Sequence, residues 1–465
     1  MKAVCYTLSY LNKTDVDPMG YLRLVAPLER AGIEIVRGYE EGEIFPERVS
    51  EADLVIIQRH FPVRYAEYQE VIQRARAENK PIVFELDDLL FCLPEEHPDR
   101  LEHFYTPSLL PMFEALIEAD LVTVPTTPLK EVLSPYNDNI VVLPNFLDDQ
   151  LWHFREPLVD QSPDRPVIIG YMGTMSHQPD LELILPVLVE MMHLYSSKIR
   201  LSFWGIEPPQ VLKSFSNVDH YPWISYCYRE FAEFFQTQQV DIFVAPLVSH
   251  VFNQCKSPLK FFEYSSLGVP GIYSDLDPYR HVVQNGINGF LAASMDDWRN
   301  HLIMLIENPE LRANLAKNAQ ETIKQKFSLS KNAYIWREAY QKLIEQYTPR
   351  QLHPIYGMIN SINWQLNSLI ESLRTVIREQ NQEMERLRTV IREQNQEMER
   401  LRTVIREQNQ EMERLRTVIR EQDQEMERLR TVISEQEQEI IGYVTSCSWR
   451  YTRPFRKFGR LLKRL

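Results

Sequence analysis

Lys256, Lys260 and Glu263 are spaced four and then three residues apart in KSPLKFFEYSSLGVP (256–270), just after the apolar run DIFVAPL (241–247). That spacing places all three on one face of a helix. Ser257 followed by Pro258 reads as N-cap and first helical position, because serine accepts a free amide and proline has none to lose. A cation in a helix's first turn opposes the helix dipole, at a cost of roughly 0.3–1 kcal/mol when exposed. Two cations there fit an anionic ligand in front of them, since a helix start with open amides already binds anions. A plainer reading competes: Lys260 pairs with Glu263 on a wet surface, and Lys256 has no task.

A second stretch points the same way. VIIGYMGTMSHQPDLELI (167–184) reads as strand, glycine turn, then a helix beginning near Asp180. Gly170 and Gly173 remove side chains where a phosphate would approach. This is not the spaced GxGxxG of dinucleotide enzymes, and two glycines alone are weak evidence. In a doubly wound domain, however, this loop and the one at 256 lie at the same sheet edge.

The elements that must carry these loops alternate. KAVCYTL, DLVIIQRH, KPIVFELDD, ADLVTVPT and NIVVLPN are strand candidates, with helical stretches such as YLRLVAPLERAG and RYAEYQEVIQRARAENK between them. After the break EPLVDQSPDRP (156–166), VIIGYMG, IRLSFWG, VDIFVAPL and VPGIYSD resume the pattern. Repeated β-then-α order predicts an α/β fold of two doubly wound, Rossmann-like domains. We place these at 1–155 and 160–345, facing each other across a ligand cleft at their strand ends. The length of 465 residues suits two or three units, and 44% apolar content suits packed cores. A net charge of −14 argues against general nucleic-acid binding. The five cysteines lack paired spacing, so neither a zinc site nor a disulfide framework is expected. The opening residues lack a secretory pattern and no apolar run reaches ~18 residues, which predicts a cytoplasmic protein.

Past a linker at 346–362 the character changes. LRTVIREQNQEMER repeats from Leu373, Leu387, Leu401 and Leu415, with a decayed copy from Leu429. Fourteen residues are two heptads. Ile377, Met384, Ile391 and their successors take the a positions, while d alternates Leu and Gln from Leu373 and Gln380. Glu383 at g and Arg388 at the following e have the spacing of an interchain pair. We expect a parallel coiled coil over 363–441 that makes a homo-oligomer; a solitary solvated helix is the alternative. The tail at 442–465 has seven basic residues from Trp449 on and no acidic ones. Phe455, Phe458, Leu461, Leu462 and Leu465 share one helical face opposite the cations, which fits an anionic membrane surface. A protein-docking tail has similar composition.

GYMGTMSHQPDLELI, DIFVAPL, KSPLKFFEYSSLGVPGIYSD and VVQNGINGFL, in that order, resemble the donor-binding half of GT-B glycosyltransferases, the retaining group labelled family 1/4. KPIVFELDDLLFCLPEEHP and ADLVTVPTTPLKEVLSPYNDNIVVLPNFLD resemble the acceptor domain of bacterial members. The resemblance covers about residues 1–345. It implies transfer of a sugar from a nucleotide-diphosphate donor to a glycan or lipid-linked acceptor, with retention, in surface polysaccharide or glycoconjugate synthesis. It implies no metal and no cofactor beyond the donor substrate.

By position, Glu263 matches the second Glu of the family's Glu-x7-Glu element, which contacts ribose hydroxyls. The first Glu falls at Cys255, a departure that puts the usual sugar contact in doubt. Lys256, with the amides of Ser257 and Leu259, is expected to hold the diphosphate with Lys260. Gly173 and Thr174 form the glycine turn, which lacks the Arg and Lys many relatives carry there. In FELDD (84–88), Asp87 and Asp88 are candidates for acceptor contact or proton handling, against loop capping or a metal role. His177 either touches the sugar or phosphate or caps a turn; Trp223 either stacks on the base or fills the core. A head that binds the donor without catalysis, serving as a tether through coiled coil and tail, is the alternative function.

Overall fold

The computed structural model describes residues 1–158, 165–222, 225–446, 456–457 and 459–460. Its contacts divide the chain at Asn367 into a unit of two lobes and a second, helical unit.

Each lobe is built on a six-stranded, wholly parallel sheet. In the first the order is Glu34–Arg37, Lys2–Tyr6, Leu54–Gln58, Ile82–Glu85, Leu121–Val124, Ile140–Val142. In the second it is Val218–Pro222, Ile199–Gly205, Val167–Gly173, Ile242–Ala245, Gly271–Ser274, Phe290–Ala292. Parallel strands covered on both faces read as unbroken apolar runs, and LVIIQ at 54–58 is buried at every position. In both sheets the first strand in sequence is an inner one, and the strand order reverses beside it. This topological switch opens a crevice at the strands' carboxyl ends. In the second lobe it falls between Gly173 and Ala245, at the glycine turn.

Two segments leave the places the sequence predicts for them. Residues 329–345 follow the second sheet in the chain but pack on the first lobe. Arg337 Nε donates to the Ala31 carbonyl at 2.7 Å, and Trp336 is fully buried in the apolar cluster that holds Leu24 and Leu28. The expected linker also has structure. A helix runs Tyr356–Thr445, and its first turns dock on the first lobe. Asn360 Nδ2 donates to Glu114 at 2.7 Å, Tyr356 to Glu118 at 3.0 Å, and Asn363 is 1% exposed. Buried carboxylates demand partners, and these side chains supply them. From Glu371 the helix, considered alone, is exposed throughout, with Ile377 and Leu387 each more than half exposed.

At the centre of the first lobe lies a buried ion pair. Arg23 Nε donates to Glu85 Oε1 at 2.7 Å, with both side chains wholly inaccessible. Arg23 also donates to the Leu143 carbonyl at 2.6 Å and Asn145 Oδ1 at 2.9 Å, and Thr123 donates to Glu85. Replacing Arg23 by Met leaves a buried, unpaired carboxylate and should cost about 3–5 kcal/mol. Urea denaturation measures this; adding Glu85→Leu should recover part of the loss, because it removes the stranded charge.

Candidate active site

Asp87, Asp88, Gly173, Thr174, His177, Lys256, Ser257, Leu259, Lys260 and Glu263 line one cavity of about 220 Å3 between the lobes. Pro18, Met19 and Leu22 close it from the first lobe, and Met172, Tyr228 and Tyr279 from the second.

The helix that carries Lys260 and Glu263 runs Leu259–Ser266, later than Ser257–Pro258 suggested. Pro258 takes the cap position with ψ 39°, and no side chain caps the first turn. Ser257 is therefore not the N-cap: its Oγ accepts from Asn145 of the first lobe at 2.7 Å. Lys256 precedes the helix, with Nζ 4.6 Å from the Phe252 ring centre. Lys260 lies 4.9 Å from the centre of the Tyr171 ring. Burial pushes its ammonium down to about 8; Asp180 pulls the other way and Lys256 adds to the fall. Glu263 is 4% exposed and bonds Tyr228, whose hydroxyl donates to Oε1 at 2.8 Å. Burial lifts its carboxyl to about 7, against that hydrogen bond and the Lys260 charge. The wet Lys260–Glu263 pair is not what forms.

The glycine turn divides its two glycines. A Cβ on Gly170 would come within 2.8 Å of Phe243 and Val240, so this glycine serves strand packing rather than ligand approach. Gly173 borders the cavity, and its Cβ would meet Tyr171 and His177 at 3.2–3.3 Å. The long helix then runs Gln178–Tyr195, with Asp180 in its first turn. His177 Nδ1 lies 2.9 Å from Asp180 Oδ2. Burial and the two lysines hold His177 down to about 3, so the ring is neutral. A carboxylate partner takes the Nδ1–H, which leaves Nε2 as an acceptor. Asp180 is also fixed by the Val248 amide at 2.8 Å. His177 is therefore suited to accept a hydrogen bond from a hydroxyl rather than to bind phosphate.

On the first-lobe wall the acidic run is split. Glu85 belongs to Arg23, whereas Asp87 faces Arg59, whose Nε is 3.0 Å away. Burial raises the Asp87 carboxyl to about 7, and Arg59 only partly offsets it. Arg59 has φ +44°, a left-handed backbone that costs a non-glycine residue energy. Its NH2 donates to Tyr105 Oη at 2.9 Å. Cys255 is 1% exposed and joins the first lobe's apolar cluster, so no carboxylate projects from the position where the resemblance expects Glu. Burial pushes its thiol up to about 12.

Sequence reading missed Asn145, Tyr228, Asp180 and Arg59. Each acts through a partner distant in the chain; only Asp180, three residues from His177 at helical spacing, had a local signal. Trp223, residues 159–164 and most of the basic tail lie outside the described residues. Among the described residues no helix is long and apolar enough to cross a membrane.

A search of curated proteins finds no match. Among solved structures, sucrose-phosphate synthase from Thermosynechococcus elongatus superposes with a TM-score of 0.54 at 14% identity, covering 75% of this chain and all of that one. Anabaena HepE, solved with UDP and glucose, gives 0.49 at 13% identity over 74% of this chain and all of its own. WaaG, a glycosyltransferase of lipopolysaccharide biosynthesis, gives 0.45 at 12% over 72% and 98%. Residues 159–322 match the family model for glycosyl transferases group 1. With its two facing parallel-sheet lobes the chain has a GT-B-like fold, and its residues 159–322 are similar to group 1 glycosyl transferases.

Proposed function

We propose that the cleft moves a sugar, with retention, from a nucleotide-diphosphate donor to a glycan or lipid-linked acceptor. The observation that carries this reading is the meeting of Lys256, Lys260 and an uncapped helix start in one cavity with Glu263 and the glycine turn. Lys256, Lys260 and the amides of Ser257 and Leu259 hold the diphosphate. Glu263 accepts from the ribose hydroxyls, and Gly173 and Thr174 give the phosphates room. The neutral His177 accepts a hydroxyl of the transferred sugar, while Asp87 and Asp88 face the acceptor.

In this scheme the bond from the sugar's anomeric carbon to the phosphate oxygen breaks, and its electron pair leaves with the diphosphate. The acceptor oxygen bonds the same face of that carbon, and its proton passes to the departing phosphate oxygen. Charge grows on the leaving group, where the two ammoniums and the amides already stand, so their interaction strengthens in the transition state. The lysines supply this stabilisation without calling on a metal.

One observation favours a second reading, a head that binds the donor without transfer: Cys255 turns into the first-lobe core and leaves no carboxylate for the sugar. Product formation from labelled nucleotide sugars separates the two. In either case the stripe of Leu373, Ile377, Met384 and Leu387, about half exposed in the single chain, seeks a second copy. The basic tail would then place the assembly, peripherally, at the inner membrane face.

Three outcomes are expected. Lys256→Ala should weaken nucleoside-diphosphate binding about 10- to 100-fold, the worth of a charge-assisted hydrogen bond. Lys260 titrates near 8 in the free protein, and a bound diphosphate favours its charged form. Binding at pH 8.5 should therefore take up protons, and affinity should fall as pH rises past about 8; calorimetry in buffers of different ionisation enthalpy reads both. Truncation after Asn367, which spares the docked turns, should leave a monomer by light scattering that no longer sediments with anionic vesicles.

A further inference from the structure

Lys256 sits in an irregular stretch between the helices Val251–Gln254 and Leu259–Ser266, and the first lobe holds that stretch on both sides of it. On one side Thr126 Oγ1 donates to the Cys255 carbonyl at 2.7 Å. On the other, Asn145 Nδ2 donates to Ser257 Oγ at 2.7 Å. The second bond has a fixed direction. Arg23 has only donors, so the Asn145 atom facing it at 2.9 Å is the carbonyl oxygen. The amide's NH2 must then face Ser257, whose oxygen accepts. Arg23 is itself locked by Glu85 and the Leu143 carbonyl. Ser257 has one hydroxyl proton, and with its oxygen already accepting from Asn145 that proton is free for an acceptor in the cavity it lines.

We infer that Thr126 and Asn145 are positioning residues that act across the lobes: they pin residues 255–257 around Lys256 and turn the Ser257 hydroxyl toward the donor's diphosphate. This rests on the donor reading given above. Donor affinity in the second lobe thereby depends on the first lobe standing in register with it. The run of donors that starts at the buried guanidinium of Arg23 and passes through Asn145 to the Ser257 hydroxyl is also polarised in the sense that suits an anion.

The test is calorimetric binding of UDP, GDP and ADP to the full chain, using whichever of the three binds. Thr126→Val keeps the shape and removes the donor to Cys255 together with the cap that Oγ1 gives the Leu129 amide. The cap bears on stability, read by urea denaturation, whereas loss of the one neutral hydrogen bond to Cys255 should weaken binding about three- to tenfold. Thr126→Ser should restore wild-type affinity, a rescue that a packing role for the methyl group would not give. Asn145→Ala should weaken binding at least as much. In a Lys256→Ala background Thr126→Val should add little, because it acts through the loop that carries Lys256. Weakening by Lys256→Ala but not by Thr126→Val or Asn145→Ala overturns this inference alone, as do effects that simply add. Unchanged affinity in Lys256→Ala overturns the donor reading, and this inference with it.

Discussion

A half-buried lysine ammonium beside a second lysine is costly, and the cleft is organised around that cost. Burial depresses Lys260, Lys256 depresses it further, and the counter-charge of Asp180 offsets only part. The fold tolerates the arrangement because Lys260 lies over the Tyr171 ring and its helix is packed through Phe261, Phe262 and Tyr264. On the donor reading proposed above, positive charge that the protein leaves incompletely compensated is set aside for the diphosphate, since a preorganised site avoids reorganisation when the anion arrives. Burial, with the two lysines adding to it, keeps His177 neutral and so an acceptor. The His177 contact, the Val248 amide and Lys256 together draw the Asp180 carboxyl below its usual range, although burial works against this.

The two lobes share this task unequally. The second contributes the cations, the glycine turn and Glu263; the first contributes order. Its buried Arg23–Glu85 pair is expensive to desolvate and gains its place by bonding Leu143, Thr123 and Asn145 at once, the last of which reaches across to Ser257. Asp87, on the same wall, is held by Arg59 in a strained backbone next to the cavity. Strain and buried charge thus gather at the cleft and are absorbed by parallel sheets rigid enough to bear them.

Much of the fold was legible because inner parallel strands are continuous apolar runs: VIIGYMG, IRLSFWG and DLVIIQRH announce themselves. Edge strands are harder to read: Glu34–Arg37, Val218–Pro222 and Phe290–Ala292 are short or half polar and were missed, and of the four sheet edges Ile140–Val142 alone was read. In the candidate site, residues that share a helix face or a loop were visible from spacing, which is why Lys256, Lys260 and Glu263 stood out. What spacing cannot show is a partner 112 residues away, as Asn145 is from Ser257. Nor can it show that Ser257 gives up the N-cap to take that bond. At Cys255 the chain departs from the resemblance, and spacing could not show where its side chain goes: it joins the other lobe's core, so the position offers the cleft no carboxylate.

The most direct test is a structure of the protein with a nucleoside diphosphate bound. The account predicts both phosphates within hydrogen-bonding distance of Lys256 Nζ, Lys260 Nζ and the Ser257 hydroxyl, with the ribose against Glu263. A diphosphate seated elsewhere on either lobe, or lysines turned away from it, would contradict the account.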